Sequence, residues 1–305
     1  MEGWLTFALP HPALFWAGVL EGTVLAAVLA LTAMGLSLVF GIMRVVNVAH
    51  GEFYMAGAVI AWFCADWVGG TLGAPPWAGF LVALLVAPVL VGLVAAAADV
   101  LVLKRLDYDP EATIVATIGL LYILQQLALS VYGPEARPVE PPFDWRVRLP
   151  WFGYSAYKFF VVGASILLMI GVWLTLTRTR IGLVMRATQM DREMALAFGI
   201  PVERIYAIVF SLGAGLAALG AVLIVPIQQA HYLMGADPLL LSFIVVIIGG
   251  LGSLPGTVVA AILIGLSDGI ISVFFSPTLA KILATLLVAL VLVFRPQGLF
   301  GVRRA

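Results

Sequence analysis

Nine apolar runs, each near the length that crosses a bilayer, follow one another along this chain, at residues 14–40, 45–67, 77–103, 112–132, 156–177, 205–226, 236–252, 255–275 and 278–294. A helix spanning a hydrocarbon layer about 30 Å thick needs roughly 20 apolar residues. In lipid every backbone polar group must be satisfied within its own segment, so such runs form helices. Composition removes the water-soluble alternative. Of 305 residues, 63% are hydrophobic and 10% charged, with mean hydropathy +1.13. A soluble core of this size cannot hide so much apolar surface. The expected fold is an all-α integral membrane protein, a polytopic bundle of about 8-9 transmembrane helices.

The basic residues give that bundle a direction. Arg44, Lys104, Arg105, the group Arg178, Arg180, Arg186, Arg192 and Arg204, and finally Arg295, Arg303 and Arg304 fall in alternate connectors. Cytoplasmic loops carry an excess of Lys and Arg, so these connectors are expected inside. Nine crossings then leave the N-terminus outside and the C-terminus cytoplasmic. No Lys or Arg precedes Arg44. The first run therefore lacks the charged start of a cleaved signal peptide and is expected to stay in place. Being long, it is expected to be tilted, kinked or preceded by an interfacial piece.

Two connectors are long enough to carry function. The outer loop, about 133–155, is rich in proline and aromatics. Trp145, Trp151, Tyr154 and the nearby Tyr157 suit an interfacial belt, with a docking surface as the other reading. The inner loop, about 178–204, has five arginines, and its Met190, Met194 and Phe198 recur at four-residue spacing. It is expected to form a short amphipathic helix at the membrane surface. The seventh run ends in Gly249-Gly250-Leu251-Gly252-Ser253-Leu254-Pro255-Gly256, which cannot continue one helix and is expected to be a tight break between two.

Covalent chemistry finds no support in the motifs. No lysine stands in a phosphate-binding G-x-x-x-x-G-K-[ST] loop, and there is no H-E-x-x-H or C-x-x-C pattern for a metal. The single Cys64 reads as a small buried hydrophobe, and Ser253 as part of the helix break rather than a nucleophile. Zero net charge gives no footprint for nucleic acid. Neither a catalytic residue nor a resident cofactor is expected.

Ionisable groups inside apolar runs cost about 2.5–3.5 kcal/mol each at a helix centre and so need a reason. Glu21 and Asp66 fall near outer helix ends and Asp99 near an inner one. Asp268 lies deeper, facing either a partner helix or a wet path. Asn47, His50 and Glu52 form a denser polar group. Asn47 and His50, three apart, are expected on one helix face. Contacts between helices and the lining of an inner gate are both open for this group, as they are for the glycines Gly249, Gly250 and Gly252 of the break.

The stretch from Gly35 to Gly57, GLSLVFGIMRVVNVAHGEFYMAG, resembles the opening signature of the LivH-type permeases of branched-chain amino-acid ABC importers. RATQMDREMALAFGI at 186–200 is similar to that family's cytoplasmic loop, VIIGGLGSLPG at 246–256 to its glycine-rich break, and FRPQGLF at 294–300 to its ending. The resemblance covers nearly the whole chain. It implies a single permease domain over 1-305 in the bacterial cytoplasmic (inner) membrane. It also implies a second permease subunit (a LivM-like heterodimer is favoured), two ABC ATPase subunits that bind the ATP, and an extracytoplasmic solute-binding protein. Glu193-Met194-Ala195 followed by Gly199 resembles a degenerate form of the E-A-A-x-x-x-G coupling loop. Arg186, Met190, Arg192, Glu193, Met194, Phe198, Gly199 and Arg204 are accordingly the expected ATPase-coupling residues. An ion-coupled secondary transporter and a passive channel for urea or an amide are the alternatives.

Overall fold

A computed structural model describes residues 12–150, 152–295 and 297–300. His11, Trp151, Arg303 and Arg304 lie outside the described residues. The described residues fold into eleven α-helices: α1 Pro12–Met43, α2 His50–Asp66 (continued by a π-helical turn, Trp67–Thr71), α3 Pro76–Leu101, α4 Pro110–Val131, α5 Ala156–Arg178, α6 Arg180–Met190, α7 Arg192–Ala197, α8 Val202–Ile224, α9 Ala236–Gly249, α10 Leu254–Phe274 and α11 Pro277–Phe294. Among the described residues, eight spans are long and apolar enough to cross a membrane. The protein is a multi-pass bundle.

The helix ends follow from local chemistry. Proline opens α3, α4, α10 and α11, where its missing N–H costs nothing. Asp109, Ser253 and Ser276 cap three of these helices by accepting a hydrogen bond from the backbone N–H three residues on.

Small residues set the packing. A Cβ on Gly22 would lie 2.7 Å from the Gly265 carbonyl, and one on Gly269 would lie 2.3 Å from the Gly22 backbone. α1 and α10 are thus antiparallel with backbones in contact, as small residues allow in lipid. The same device presses α1 to α8 at Gly35 and Gly213, α3 to α8 at Gly92 and Ser211, and α2 to α8 at Gly57 and Ala218. These pairings make the membrane segments alternate in direction, so the start of α1 and the end of α11 sit at opposite ends of the bundle.

The arrangement has an internal, inverted symmetry that is not visible in the residues. In the first half, long α1 is followed by a non-helical stretch, a shorter α2, and then α3 and α4. In the second, long α8 is followed by the non-helical stretch 225–235, a shorter α9, and then α10 and α11, each running the opposite way. The first helix of each half packs on the third of the other. The halves meet like with like, Gly35 on Gly213 and Gly51 on Gly235.

Several expectations need correction. The second span does not begin at 45. α2 starts at His50, and residues 44–49 are non-helical, with Arg44 at φ +59°. Three β-branched valines lower the helix preference there, and the Asn47 side chain accepts from the Ala49 N–H instead of joining a helix. Asn47 and His50 therefore share no helix face. Residues 45–49 are buried or half-buried in protein, and Thr117 of α4 donates and accepts along them, receiving the Val48 N–H at 3.2 Å. The seventh run is also no full crossing. α9 has 14 residues, about 21 Å at 1.5 Å per residue.

The long first run is one continuous helix of 32 residues. The outer loop holds a hairpin, Arg146–Arg148 against Gly153–Ser155, which an all-helical reading did not anticipate. Tyr154 and Tyr157 are buried, the latter donating to the Leu223 carbonyl at 2.7 Å, so these two rings belong to the interior and not to an interfacial belt. Trp145 is exposed.

Candidate functional site: a cavity and an exposed segment at opposite ends

Every described basic residue assigned to the inner connectors gathers at one end of the bundle. Arg44 at the end of α1 donates to the Gln189 carbonyl of α6 at 3.3 Å, and Lys104 pairs with Glu203 of α8 at 2.7 Å. Gly252, between α9 and α10, lies against Gly41 of α1 at this same end. Here the expected glycine break is confirmed as a turn. Gly250 and Gly252 adopt φ +100° and +79°, and a Cβ on Gly256 would lie 2.0 Å from the Gly249 carbonyl. The end of α9 leaves carbonyls without helical partners. The chain's closing segment supplies them, with the Leu299 and Phe300 N–H groups donating to Ile248 and Gly249 at 2.7 and 3.1 Å.

The segment expected as one amphipathic helix is two. α6 ends at Met190, and Asp191 turns outward at φ −150°, its carboxylate accepting from the Met194 N–H at 3.0 Å to cap α7. A short acidic side chain three residues before a helical N–H favours such a cap over continuing the helix. Met190, Met194 and Phe198 are not on one helix face. They sit on α6, on α7 and just past α7, and each is exposed, Met190 at 83% and Phe198 at 78%. Gly199 takes φ +77° with open space around it, a left-handed C-terminal cap whose neighbour Ile200 donates back to Ala195. Glu193 and Arg204 are exposed, and Arg192 lies over the Tyr206 ring at 5.8 Å. Arg186 alone turns inward, lining a crevice of about 250 Å³ with Gln189, Gly41 and Gly252. Replacing Asp191 with alanine is expected to remove about 1 kcal/mol of local helix stability. Faster amide exchange confined to 192–198 would report it, and unchanged exchange would contradict the cap.

At the other end a cavity of about 440 Å³ opens between α1, α10, α11 and the approach to α9. It reaches from Glu21 to Thr32 along α1, eleven residues or about 16 Å of depth. Asp268 and Ser272 of α10 line it, with Gln228 and His231 from the non-helical stretch before α9 and the pair Lys281–Asp237, 2.6 Å apart, at its rim. Glu21 is paired with Lys158 of α5. Valine and leucine from α1 and Leu241 make the remaining wall apolar. Asp268 thus faces a cavity and not a packed helix, six residues before the end of α10.

His50 sits behind the floor of this cavity. Its Nε2 is bonded to the Thr32 carbonyl at 3.0 Å, which makes Nε2 the protonated nitrogen, because a carbonyl can only accept. His50 thereby ties α2 to α1. Asn47, His50 and Glu52 are buried, and Asn47 Nδ2, His50 Nδ1 and Glu52 Oε2 have no hydrogen-bond partner among the described residues. Asp66 ends α2, and Asp99 is buried against Tyr108 near the arginine-rich end, with the Tyr108 hydroxyl donating at 3.4 Å.

Sequence reasoning singled out Asp268 but not its company. His231, Asp237 and Lys281 come together only because α9 begins part-way down the bundle. The available signal was the polar cluster Gln228-Gln229 and His231 just before an apolar run that is too short to span.

An apolar bundle with a solvent-sized recess at one end and an exposed basic-and-apolar segment at the other is the architecture of a membrane transport subunit. The family described as "Branched-chain amino acid transport system / permease component" matches residues 18–293, and the chain belongs to it. Among curated relatives, the high-affinity branched-chain amino acid transport system permease protein BraD of Pseudomonas aeruginosa is 27% identical, over 93% of this chain and 94% of its own. The corresponding LivH of Escherichia coli is also 27% identical, over 94% and 96%. The probable LivH of Methanocaldococcus jannaschii is 26% identical over 93% and 92%. No solved structure matches the chain.

Proposed function

We propose that this chain is the permease subunit of an ATP-driven ABC importer in the bacterial inner membrane, carrying branched-chain amino acids or a closely related small solute. Its arginine-rich end faces the cytoplasm, since translocated loops seldom carry such an excess of Arg. The cavity then opens outward, where an extracytoplasmic binding protein releases the solute.

The single observation that carries this reading is the opposed placement of the two candidate sites in a chain of this family. One is a recess closed below by packed helices, and the other is a protruding pair of short helices with unburied Met190, Met194 and Phe198. Exposed apolar groups rimmed by charge are costly in water and suit a groove on a partner. Two ATPase subunits supply that groove and bind the ATP, and a second, LivM-like permease completes the path. Closure of the ATPases moves α6 and α7, and the contacts of Arg44 with Gln189 and of Arg186 beside Gly252 pass the movement to the ends of α1 and α10. Alternation of the two inverted halves about Gly35–Gly213 then exchanges access from one side to the other.

Reconstitution tests this against other drives. Vesicles containing this chain, its partner permease, the ATPases and the binding protein are expected to accumulate leucine only with ATP. Accumulation driven by an ion gradient, or equilibration by this chain alone, would contradict it.

A further inference from the structure

Within the importer reading, one group in the outward cavity has no partner that explains it. The described residues contain three ion pairs, Lys104–Glu203, Lys158–Glu21 and Lys281–Asp237, and Asp268 is in none of them. Its one hydrogen bond is a long one, 3.5 Å, from the Ser272 hydroxyl one turn along the same helix. A carboxylate on an apolar membrane helix is costly to retain without a counter-charge. The other two acids of this cavity, Glu21 and Asp237, already have theirs.

The remainder of the cavity supplies a complementary set of groups. Lys281 is at the rim with Asp237, within electrostatic reach of Asp268. A lysine ammonium has three donors, so one bond to Asp237 leaves two free. Gln228 and His231 add further polar groups to the lining, while Leu25, Val28, Leu29 and Leu241 form an apolar wall. The volume, about 440 Å³, lies within the range of sites that enclose a small molecule. A carboxylate in no ion pair, a cation with spare donors and a greasy wall are the three contacts that an apolar amino acid offers in reverse.

We infer that the cavity is a recognition site within this subunit for an apolar α-amino acid in its zwitterionic form, with the ammonium received by Asp268, the carboxylate by Lys281 at the rim, and the hydrocarbon side chain by the wall of α1 and α9. The permease then selects cargo itself, after the binding protein has released it. A ligand lacking the ammonium leaves Asp268 without an ion-pair partner, and one lacking the carboxylate leaves the spare Lys281 donors unused; a missing polar contact of this kind discriminates more strongly than a missing methylene does. The inference rests on the importer reading for its biological setting, but the binding it asserts requires neither ATP nor a partner.

Thiol protection measures it. The full-length chain in lipid nanodiscs, with Cys64→Ala and Val273→Cys as a reporter on the cavity wall, is labelled with a membrane-impermeant maleimide. L-leucine at millimolar concentration is expected to slow labelling at least fivefold. 4-Methylpentanoate, which lacks the ammonium, and 3-methylbutylamine, which lacks the carboxylate, are expected to slow it less than twofold. Asp268→Asn abolishes the protection by leucine and Asp268→Glu restores part of it. Labelling of an outer-loop reporter, Trp145→Cys, stays the same throughout and shows that the variants are folded. Equal protection by either one-charge analogue, protection that survives Asp268→Asn, or no protection by leucine would each overturn the inference. Leucine uptake by the assembled transporter is measured in parallel, in sealed vesicles reconstituted with the partner subunits. Uptake that is ATP-dependent while leucine fails to protect overturns this site and leaves the importer reading standing.

Discussion

Gly256→Leu is expected to abolish the folded protein in the membrane, and transport with it. At this crossing the α9 and α10 backbones touch, because a Cβ on Gly256 would lie 2.0 Å from the Gly249 carbonyl and 3.0 Å from Phe300. Overpacking a core that can shift costs about 1–3 kcal/mol. Here the obstructing atom is backbone, and the same carbonyl accepts the Phe300 N–H, so relief would break the closing strap as well. The loss is expected to exceed that range and to reach several kcal/mol. Gly163→Leu and Gly119→Leu, at positions with nothing within 4 Å of a Cβ, are the matched comparison and are expected to leave detergent-solubilised protein monodisperse. Size-exclusion profiles of the three variants decide it, and a monodisperse Gly256→Leu would show that the crossing is looser than described.

The second large effect separates folding from power. Met194→Asp with Phe198→Asp places charge on two exposed apolar side chains without disturbing the bundle beneath them. If these groups seat in an ATPase groove, the buried unpaired charges weaken docking strongly, and ATP-driven uptake is expected to fall more than tenfold at normal expression. Glu193→Lys reverses an exposed charge beside them and is expected to act in the same direction. Gly199→Val strains a residue at φ +77°, costing about 1–2 kcal/mol, and displaces Phe198 relative to α7. Copurification of the ATPases with each variant is the readout. Full uptake by the double aspartate variant would remove the coupling role from this segment.

What could be read in the residues and what could not divide along a physical line. Hydropathy and the placement of arginine are summed over many residues, so the bundle, the alternation of its segments and the glycine break were visible in advance. The residues also carried the family resemblance, and the match over 18–293 bears it out. Local competition was less visible. At Asn47 and Asp191 a single side chain captures a nearby N–H and holds the chain out of a helix that the apolar pattern would have continued. Asn47 with His50, and Met190 with Met194 and Phe198, were expected to share a face and lie instead on either side of a break. Tertiary juxtaposition was invisible. Asp237 and Lys281 are 44 residues apart, and only the early start of α9 brings them to the same rim as Asp268.

ATP-driven import through this bundle requires the cavity and the arginine-rich segment to face opposite compartments, with solute entering at one and ATP acting at the other. Paired cysteine labelling measures this directly. In a Cys64→Ala background, Arg192→Cys and Leu233→Cys are each exposed to an impermeant maleimide in right-side-out and inside-out vesicles. Position 192 is expected to react only in inside-out vesicles and position 233, on the cavity lining, only in right-side-out ones. Both reacting from the same side, or the two patterns exchanged, would contradict it.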